Sequence, residues 1–197
     1  MNFTRFIEVY DYPGSVVLLE GKRNVAPDDI AHLVALGKLL ASQSRYMKFR
    51  SGNAAGADRF FIQGIHAADT KRTEVIIPFK GHNKKSLTFE DVYSLDDYDI
   101  NEYAEIIRLS KGNKKTQNLM DRYLGGMRNH ITNKVAFIIR DTAKVTGIGT
   151  LQPVTFGIFY DDPSDPRTGG TGHTMEICKQ KSIPYIDQKV WMEWLRP

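Results

Sequence analysis

A glycine-rich segment near the end of the chain reads Thr168-Gly169-Gly170-Thr171-Gly172-His173-Thr174-Met175-Glu176. It follows an apolar, β-rich run over 154–160 and opens a helical pattern that ends at 179–181. Glycine lets the backbone turn sharply and approach a ligand closely, and the free N–H groups at a helix N-terminus attract an anion. The order of strand, glycine loop and helix therefore predicts a phosphate-binding site. Its candidate residues are Gly169, Gly170, Thr171, Gly172, His173 and Thr174.

A second glycine-rich loop reads Ser51-Gly52-Asn53-Ala54-Ala55-Gly56-Ala57-Asp58. It lies between a weakly alternating strand over 46–50 and a helical pattern over 57–68. We expect this loop and the one over 168–176 to face the same ligand, because both leave the carboxyl end of a strand. Asp58 either caps its own helix or accepts a hydrogen bond from a ribose or a base. The candidate contacts in this loop are Ser51, Gly52, Asn53, Gly56 and Asp58.

The first half of the chain alternates between strand and helix patterns. The apolar run over 16–19 is typical of a buried parallel strand, and Pro27 suits the first turn of a helix that follows it. A third strand is predicted over 74–78. This βαβαβ order predicts a parallel sheet with right-handed crossovers. The turn after the first strand, Gly21-Lys22-Arg23, would then direct basic groups at the ligand, with Arg23 either a phosphate clamp or a surface ion pair.

The second half of the chain begins with a less regular stretch over 79–127, where we expect short helices and a cap over the sheet. An apolar run over 135–139 predicts the fourth strand, 154–160 the fifth and 183–187 a short terminal strand. The predicted fold class is α/β. It is a Rossmann-like three-layer α/β/α arrangement with a mainly parallel sheet and a helical insertion between the third and fourth strands. We expect a single domain over 1–197.

Composition restricts the class of protein. The single cysteine, Cys178, excludes an intrachain disulfide and a multi-cysteine zinc site. The sequence has no apolar run of the roughly 18 residues that a membrane span needs, and its first residues lack the pattern of a secretory signal. We therefore expect a cytoplasmic protein without membrane association.

The net charge of +4 suits a phosphate-bearing ligand but is too small to establish nucleic-acid binding. Basic clusters at 84–85 and 111–115 are either solvated loops or nucleic-acid contacts. The acidic side chains of Asp161, Asp162 and Asp165 could suggest a divalent metal, but the two prolines among them favour a solvated turn. The sequence therefore predicts neither a metal nor a cofactor.

Four signatures occur in chain order: Gly21-Lys22-Arg23, the loop over 51–58, Arg128-Asn129 before the predicted fourth strand, and Gly169-Gly170-Thr171-Gly172-His173-Thr174. Together they resemble the SLOG superfamily, Rossmann-like proteins that include the DNA-processing protein DprA, the YpsA-like proteins and the LOG phosphoribohydrolases. The resemblance covers nearly the whole chain apart from 79–127. It implies that the residues from Gly169 to Thr174 surround a nucleotide phosphate, and that Arg128 and Asn129 contact the ligand.

The resemblance also implies a catalytic alternative. LOG enzymes carry a Pro-Gly-Gly-x-Gly-Thr-x-x-Glu motif and an upstream arginine, and cleave the N-glycosidic bond of nucleoside monophosphates. Glu176 and Arg128 occupy the corresponding places, while Thr168, His173 and Asn129 depart from the motif. Glu176 either acts on the ribose or is only stabilised by the helix dipole. His173 either contacts the phosphate and donates a proton or is a solvent-facing residue at the helix start.

The leading hypothesis is a binding protein or sensor for a nucleotide or nucleotide-derived small molecule. The first alternative is a LOG-like N-glycoside hydrolase with Glu176 and Arg128 as its catalytic groups. The second alternative is DprA-like single-stranded DNA binding, which needs a basic path lined by aromatic side chains; Tyr46, Lys48 and Phe49 lie near the right loop. Association into homo-oligomers stays open.

Overall fold

The computed structural model describes residues 1–83, 89–162 and 164–196. Its centre is a sheet of six parallel strands in the order β4-β3-β2-β1-β5-β6. The strands are β1 (Val16–Gly21), β2 (Lys48–Ser51), β3 (Thr73–Ile77), β4 (Asp91–Ser94), β5 (Phe156–Tyr160) and β6 (Tyr185–Ile186). β1 lies at the centre and is buried along its whole length, as its continuous apolar run predicts.

Within the described residues, eight α-helices connect and cover the strands. They are α1 (Phe3–Tyr10), α2 (Pro27–Gln43), α3 (Ala57–His66), α4 (Ala104–Lys111), α5 (Gln117–Leu124), α6 (Asn133–Thr146), α7 (Gly169–Gln180) and α8 (Gln188–Trp191). α2 begins at Pro27, as predicted, because proline has the φ angle of a first helical turn and needs no hydrogen-bond acceptor there. α7 begins at Gly169, immediately after the N-cap Thr168, so the predicted order of strand, glycine loop and helix is confirmed.

The helices form one layer on each face of the sheet. On one face, Val17, Leu19 and Phe49 pack against α2, α3 and Trp191 of α8. On the other face, Val16 and Leu18 pack against α7, and Ile76 lies among side chains of α4 to α6. Successive residues of β1 therefore point to opposite faces, and each face buries its own core. The predicted three-layer α/β/α architecture is confirmed.

The prediction of a strand over 135–139 is wrong, because these residues lie inside α6. Val135, Ala136 and Ile139 are buried against the second core, and the same side of the helix continues to Ala143. The spacing of these four positions is helical, but the short apolar run by itself does not distinguish a buried helix from a strand.

The fourth strand is instead β4, within the stretch that we expected to be a helical cap. Its four residues do not alternate regularly between buried and exposed, so no strand was predicted there. The helices of that stretch, α4 and α5, therefore lie between the fourth and fifth strands rather than between the third and fourth. None of the helices within 1–83, 89–162 and 164–196 has both the length and the apolar character that crossing a membrane requires.

Candidate ligand-binding site

A cleft of about 590 Å³ opens at the carboxyl edge of the sheet, beside the neighbouring strands β1 and β5. Chain connections from these two strands run to opposite faces, because α2 packs on one side of the sheet and α7 on the other. Ligands of open α/β sheets bind at such a switch point. The walls of the cleft come from the turn after β1, the loop after β2, the α4–α5 connection, α6 and the first turn of α7.

Seven of the residues proposed from the sequence line this cleft. They are Gly21, Lys22, Arg23, Asp58, Gly169, Gly170 and Thr171. They come from three separate parts of the chain, which the parallel order of β2, β1 and β5 brings to one edge.

The first turn of α7 presents unpaired backbone donors to the cleft. Within the described part of the chain, no acceptor takes the N–H groups of Gly169, Gly170 or Thr171, and Thr168 makes no side-chain cap. The first intrahelical bond is that of Gly172 N–H to Thr168 O, at 3.1 Å. Gly169 has a φ of +65°, a conformation that glycine adopts without strain. Three free amides at the positive end of a twelve-residue helix favour an anion.

Lys22 connects the turn after β1 to this helix start. Its Nζ donates to the Thr168 carbonyl oxygen at 3.0 Å and to Thr168 Oγ1 at 2.9 Å. Asp161 Oδ1 lies 3.8 Å from the same ammonium group. The Lys22 side chain is mostly buried, so its charge stays beside the amides of α7 rather than in open solvent. The predicted basic contribution of the β1 turn therefore lies where a bound anion would benefit from it.

Several hydrogen-bond donors of the loop after β2 bond to Asp58 of the same loop. Asp58 Oδ1 accepts from the Gly21 N–H at 3.1 Å, and Asp58 Oδ2 accepts from Ser51 Oγ at 3.1 Å and from the Gly52 N–H at 3.2 Å. Asp58 is buried, and it ties the end of β1 to this loop. Two of the loop amides that we expected to hold an anion, those of Gly52 and Ala54, therefore already have an acceptor in Asp58. Only Ala54 and Asp58 of this loop line the cleft.

The other predicted contacts of this loop do not line the cleft. They are Ser51, Gly52, Asn53 and Gly56. Gly56 has a φ of +87°, and a Cβ there would meet the Arg23 carbonyl oxygen at 2.3 Å. Glycine is therefore required where the two loops cross. Asn53 also has a left-handed backbone, with a φ of 51°, and its carbonyl oxygen accepts from Asn83 Nδ2 at 2.8 Å.

Three charged side chains, none of them predicted, line the floor of the cleft: Glu20, Arg140 and Asp141. A fourth, Lys144, pairs with two of them. Lys144 Nζ lies 2.7 Å from Glu20 Oε2 and 3.0 Å from Asp141 Oδ1. Arg140 donates to Asp141 Oδ1 through NH2 at 2.7 Å and to the Gly52 carbonyl oxygen through NH1 at 2.9 Å. All four side chains are almost completely buried. The cluster therefore joins α6 to β1 and to the loop after β2.

The two carboxyl groups of this floor differ in charge state. Burial raises the pKa of Glu20 to about 8, and the attraction of Lys144 offsets this only in part. Burial also acts to raise the pKa of Asp141, but Arg140 and Lys144 outweigh it and lower that pKa to about 2. Burial thus favours the neutral form of Glu20, whereas Arg140 and Lys144 favour the ionised form of Asp141.

The mouth of the cleft is basic and partly apolar. Arg23, Lys115 and Lys134 are exposed there, and Phe137 is half-buried between them and the floor. His82 packs edge-on against Phe137, with ring centroids 5.3 Å apart. Burial, together with the charges of Arg140 and Arg23, lowers the pKa of His82 to about 4. An anionic ligand with an aromatic part would find both kinds of contact at this opening.

His173 and Thr174 lie inside the protein, beneath the glycine turn. His173 is buried, its Nε2 shares a hydrogen bond of 3.1 Å with Thr142 Oγ1, and burial lowers its pKa. The interpretation of His173 as a solvent-facing residue is wrong, and its buried ring does not line the cleft. Thr174 Oγ1 donates to Glu20 Oε1 at 3.0 Å. Gly172 allows a close approach, since a Cβ there would meet the Arg167 carbonyl oxygen at 2.0 Å.

Glu176 and Arg128, the two proposed catalytic residues, are not brought together. Glu176 is exposed on the outer side of α7, where its Oε1 accepts from Gln180 Nε2 at 3.1 Å. Arg128 stacks on the ring of Tyr123, with its Cζ 3.7 Å from the ring centroid, and donates to the Tyr123 carbonyl oxygen. Neither residue lines the cleft, so the predicted catalytic pair is not assembled there.

Asn129 is also outside the cleft. Its Oδ1 accepts from the Ile131 and Thr132 N–H groups, at 2.9 and 3.0 Å, and so orders the turn before α6. Arg128 and Asn129 line a separate hollow beside Pro78 and Phe79, at the end of β3. The resemblance to the SLOG superfamily implied that these two residues contact the ligand, on the basis of a strand after them, but the residues that follow form α6.

The remaining charged candidates form turns and surface contacts. Asp162 Oδ1 accepts from the Ser164 and Asp165 N–H groups, as expected of an acidic turn. Asp161, which we expected to be solvated, is instead buried, and its Oδ2 accepts from the Arg167 N–H at 2.7 Å. The basic cluster at 84–85 lies outside the described residues. Of the residues named for the DNA-binding hypothesis, Phe49 is buried. Tyr46 is exposed, but it lies at the amino end of β2, whereas the cleft lies at the carboxyl edge of the sheet.

Apart from Glu20 of β1, the charged residues at the floor of the cleft that the sequence did not predict lie on one helix, α6. Lys134, Ile138 and Asp141 recur at helical spacing on the side of α6 that lines the cleft. The same pattern was present in the sequence, but assigning 135–139 to a strand placed Arg140, Asp141 and Lys144 in a connecting loop. A helical period that includes both the charged and the apolar residues would have identified Arg140, Asp141 and Lys144.

Comparison with protein-family models gives no match, and neither does comparison with curated protein sequences. Among solved structures, the fold is similar to that of DNA processing protein A from Helicobacter pylori, a single-stranded DNA-binding protein. The TM-score is 0.52 and the sequence identity 13%, over 91% of this chain and 67% of that chain. The molybdenum cofactor carrier protein of Chlamydomonas reinhardtii has a TM-score of 0.49 and 12% identity, over 89% and 76% of the two chains. The similarity to the Helicobacter protein supports a related Rossmann-like fold.

Proposed function

We propose that this chain is a SLOG-type, Rossmann-like binding protein whose cleft holds a nucleotide or a nucleotide-derived small molecule. The observation that carries the proposal is the group of three unpaired amides at the start of α7, which open on the same cleft as Lys22. The resemblance of the four ordered sequence signatures to the SLOG superfamily supports the same conclusion.

The phosphate of the ligand would lie at the first turn of α7. The amides of Gly169, Gly170 and Thr171 would donate to its oxygens, and Lys22 would stabilise the charge. Hydrogen bonds to a charged group contribute about 1.5–3 kcal/mol each, so removing this anchor should weaken binding at least about tenfold. The exposed side chains of Arg23, Lys115 and Lys134 would attract the anion from solution.

The remainder of the ligand would lie between the turn after β1 and α6, where Phe137 offers an apolar surface. The α4–α5 connection contributes Asn113, Lys115 and Thr116 to the same wall. This supports the view that the stretch over 79–127 acts partly as a cap, within one domain over 1–197. We propose a binding or sensing role rather than hydrolysis, because Glu176 and Arg128 lie outside the cleft.

The test is a binding screen of the purified chain against nucleoside mono-, di- and triphosphates, by thermal shift and then by calorimetry. We expect at least one nucleotide to raise the melting temperature, and the double variant Lys115→Glu/Lys134→Glu to weaken its binding about tenfold or more through lost attraction and added repulsion. Both lysines are exposed, and Lys134 is the second residue of α6, where a carboxylate suits the helix dipole. Reduced binding would therefore not reflect a damaged fold.

A control is Lys189→Glu, which makes one Lys→Glu charge reversal, half of the charge change in the double variant, at the second residue of α8 and away from the cleft. It should bind as the wild type does. Gly170→Asp provides an independent check, because a Cβ at that position would lie 2.8 Å from Asp141 Oδ2 and the new carboxylate would repel an anion. A screen without any stabilising nucleotide would contradict the proposal.

A second candidate is single-stranded DNA binding, favoured by the fold similarity to DNA processing protein A and by the basic mouth of the cleft. Retention of a labelled oligonucleotide that falls steeply with salt would support it, since each phosphate contact releases counterions. If oligonucleotide and mononucleotide compete for the protein, and Lys115→Glu/Lys134→Glu weakens both, then one cleft serves both ligands.

A further inference from the structure

The carboxylate of Asp141 has an uneven set of partners. Oδ1 accepts from Arg140 Nε at 3.1 Å, from Arg140 NH2 at 2.7 Å, and lies 3.0 Å from Lys144 Nζ. Oδ2 has no hydrogen-bond donor within the described residues. The residue is only 2% exposed, and it lines the cleft. One oxygen is thus saturated by the protein, and the other is left for something that enters the cleft.

The free oxygen faces the start of α7. A Cβ built on Gly170 would lie 2.8 Å from Asp141 Oδ2, so any side chain at position 170 would fill the space in front of it. Gly170 is also one of the residues with an unpaired amide. An unused acceptor and unused donors therefore meet in the same part of the cleft.

The charge of Asp141 determines what can occupy this place. Arg140 and Lys144 keep the carboxylate ionised, with its pKa lowered to about 2, so it accepts hydrogen bonds and cannot donate them. A fully ionised phosphate oxygen would be repelled by Oδ2, whereas a hydroxyl group can donate to it. The amides of Gly169, Gly170 and Thr171 need an acceptor, which a phosphate supplies.

We propose that the cleft selects phosphate esters that carry a sugar hydroxyl, and that this hydroxyl donates to Asp141 Oδ2 while the phosphate binds at the start of α7. This inference rests on the proposed function and specifies the chemistry of its ligand. Asp141 is the specificity-determining residue, and Arg140 and Lys144 are positioning residues that orient its carboxylate. The same chemistry is present in a ribonucleotide and in a free pentose phosphate.

The experiment measures Kd by calorimetry for each common ribonucleoside 5′-monophosphate, for its 2′,3′-dideoxy counterpart, for ribose 5-phosphate and for inorganic phosphate. A hydrogen bond to a charged acceptor predicts that the dideoxy compound binds about 10- to 150-fold more weakly than its ribonucleotide. Inorganic phosphate should bind more weakly than ribose 5-phosphate. A higher affinity for the nucleotide than for ribose 5-phosphate would identify the nucleotide as the source of the sugar hydroxyl, and the reverse would identify a sugar phosphate.

The variant Asp141→Asn should reduce the ratio between the dideoxy compound and the ribonucleotide to a few-fold. Asp121→Asn, at an exposed position outside the cleft, should leave the ratio unchanged. If Asp141→Asn does not fold, the wild-type ratio still decides, because a structural role for Asp141 would not make the wild type discriminate. Equal affinity for ribonucleotide and dideoxynucleotide would overturn this inference and leave the proposed function intact. Absence of binding to every phosphate ester would overturn both.

Discussion

At the scale of single residues, Glu20 at the floor of the cleft is surrounded by charged and polar groups. Glu20 accepts from Thr174 and pairs with Lys144, and the charges of Asp141 and Asp58 face it as well. Ion pairs removed from water recover their desolvation cost only with well-placed partners. Apolar side chains of similar volume often stabilise a core equally well, so the buried charges beside the cleft agree with the proposed binding role.

The raised pKa of Glu20 predicts how the free energy of unfolding depends on pH. The pKa is raised from 4.5 to about 8 in the folded protein, so the folded state holds this proton more tightly than the unfolded state does. The resulting stabilisation is complete below pH 4.5 and is lost as the pH rises to about 8. Relative to Glu20→Gln, which does not titrate, the wild type should therefore lose free energy of unfolding across this range.

Urea unfolding of the wild type and of Glu20→Gln, at intervals between pH 5 and 9, measures this difference. Glu102→Gln is the control, because it removes a carboxyl group at an exposed position. Its difference from the wild type should stay constant over the pH window where that for Glu20→Gln changes. Parallel pH profiles for the wild type and Glu20→Gln would show that burial does not shift this group.

At the scale of elements, the crossing of α2 and α3 depends on two glycines. A Cβ at Gly37 would lie 2.1 Å from the Phe61 carbonyl oxygen, and a Cβ at Gly64 would lie 2.0 Å from the Val34 carbonyl oxygen. The backbones of the two helices therefore touch where these residues meet. The close contact of Gly64 is therefore with another helix and not with the sheet. Periodicity identifies the buried side of a helix and does not identify its neighbour.

The variant Gly64→Ala should lower the free energy of unfolding by about 1–3 kcal/mol, because the added methyl group forces α2 and α3 apart. Urea unfolding monitored by circular dichroism measures the effect. In the control Gly125→Ala, the nearest atom is 3.2 Å away, in a surface turn, and we expect a change of about 0.5 kcal/mol or less. A Gly64→Ala protein as stable as the wild type would mean that the helices can separate at little cost.

At the scale of the whole molecule, buried ionic contacts join the sheet to the helical layer that carries the cleft. Arg50 Nε donates to Glu74 Oε1 at 2.7 Å across β2 and β3, and Arg50 NH1 donates to the Lys144 carbonyl oxygen at 2.9 Å. Both side chains are almost fully buried. Burial lowers the pKa of Arg50, and its attraction to Glu74 opposes that shift. The position of α6, and with it the floor of the cleft, therefore depends on a residue of the sheet.

Removing one partner of this pair should be costly, because it leaves a buried charge without a counter-ion. We expect Glu74→Leu to lower the free energy of unfolding by about 3–5 kcal/mol, and the double variant Arg50→Met/Glu74→Leu to be more stable than the single one. Chemical denaturation of the three proteins measures this. A double variant that is less stable than Glu74→Leu would show that the bond from Arg50 to α6 outweighs the ion pair.

Local patterns were sufficient for much of the fold. The apolar run of β1, the proline that begins α2 and the strand–glycine–helix order before α7 are determined by residues close in sequence, and all three are confirmed. The place of the cleft followed from the parallel order of the strands, because the carboxyl ends of parallel strands share one edge. The short run over 135–139 failed as a prediction, since its burial is compatible with either a strand or a helix.

The sequence by itself therefore determined the fold class, the parallel sheet and the glycine-rich start of α7. Only the tertiary structure decided which groups meet in the cleft. Thr174 reaches Glu20 across 154 positions, and Arg140 reaches Gly52 across 88. The physical reason is that hydrogen bonds and ion pairs act over a few ångströms in space, without regard to separation in sequence. Asp58 takes the amides of its own loop, and Asp141 leaves one oxygen free, because of neighbours that no local pattern specifies.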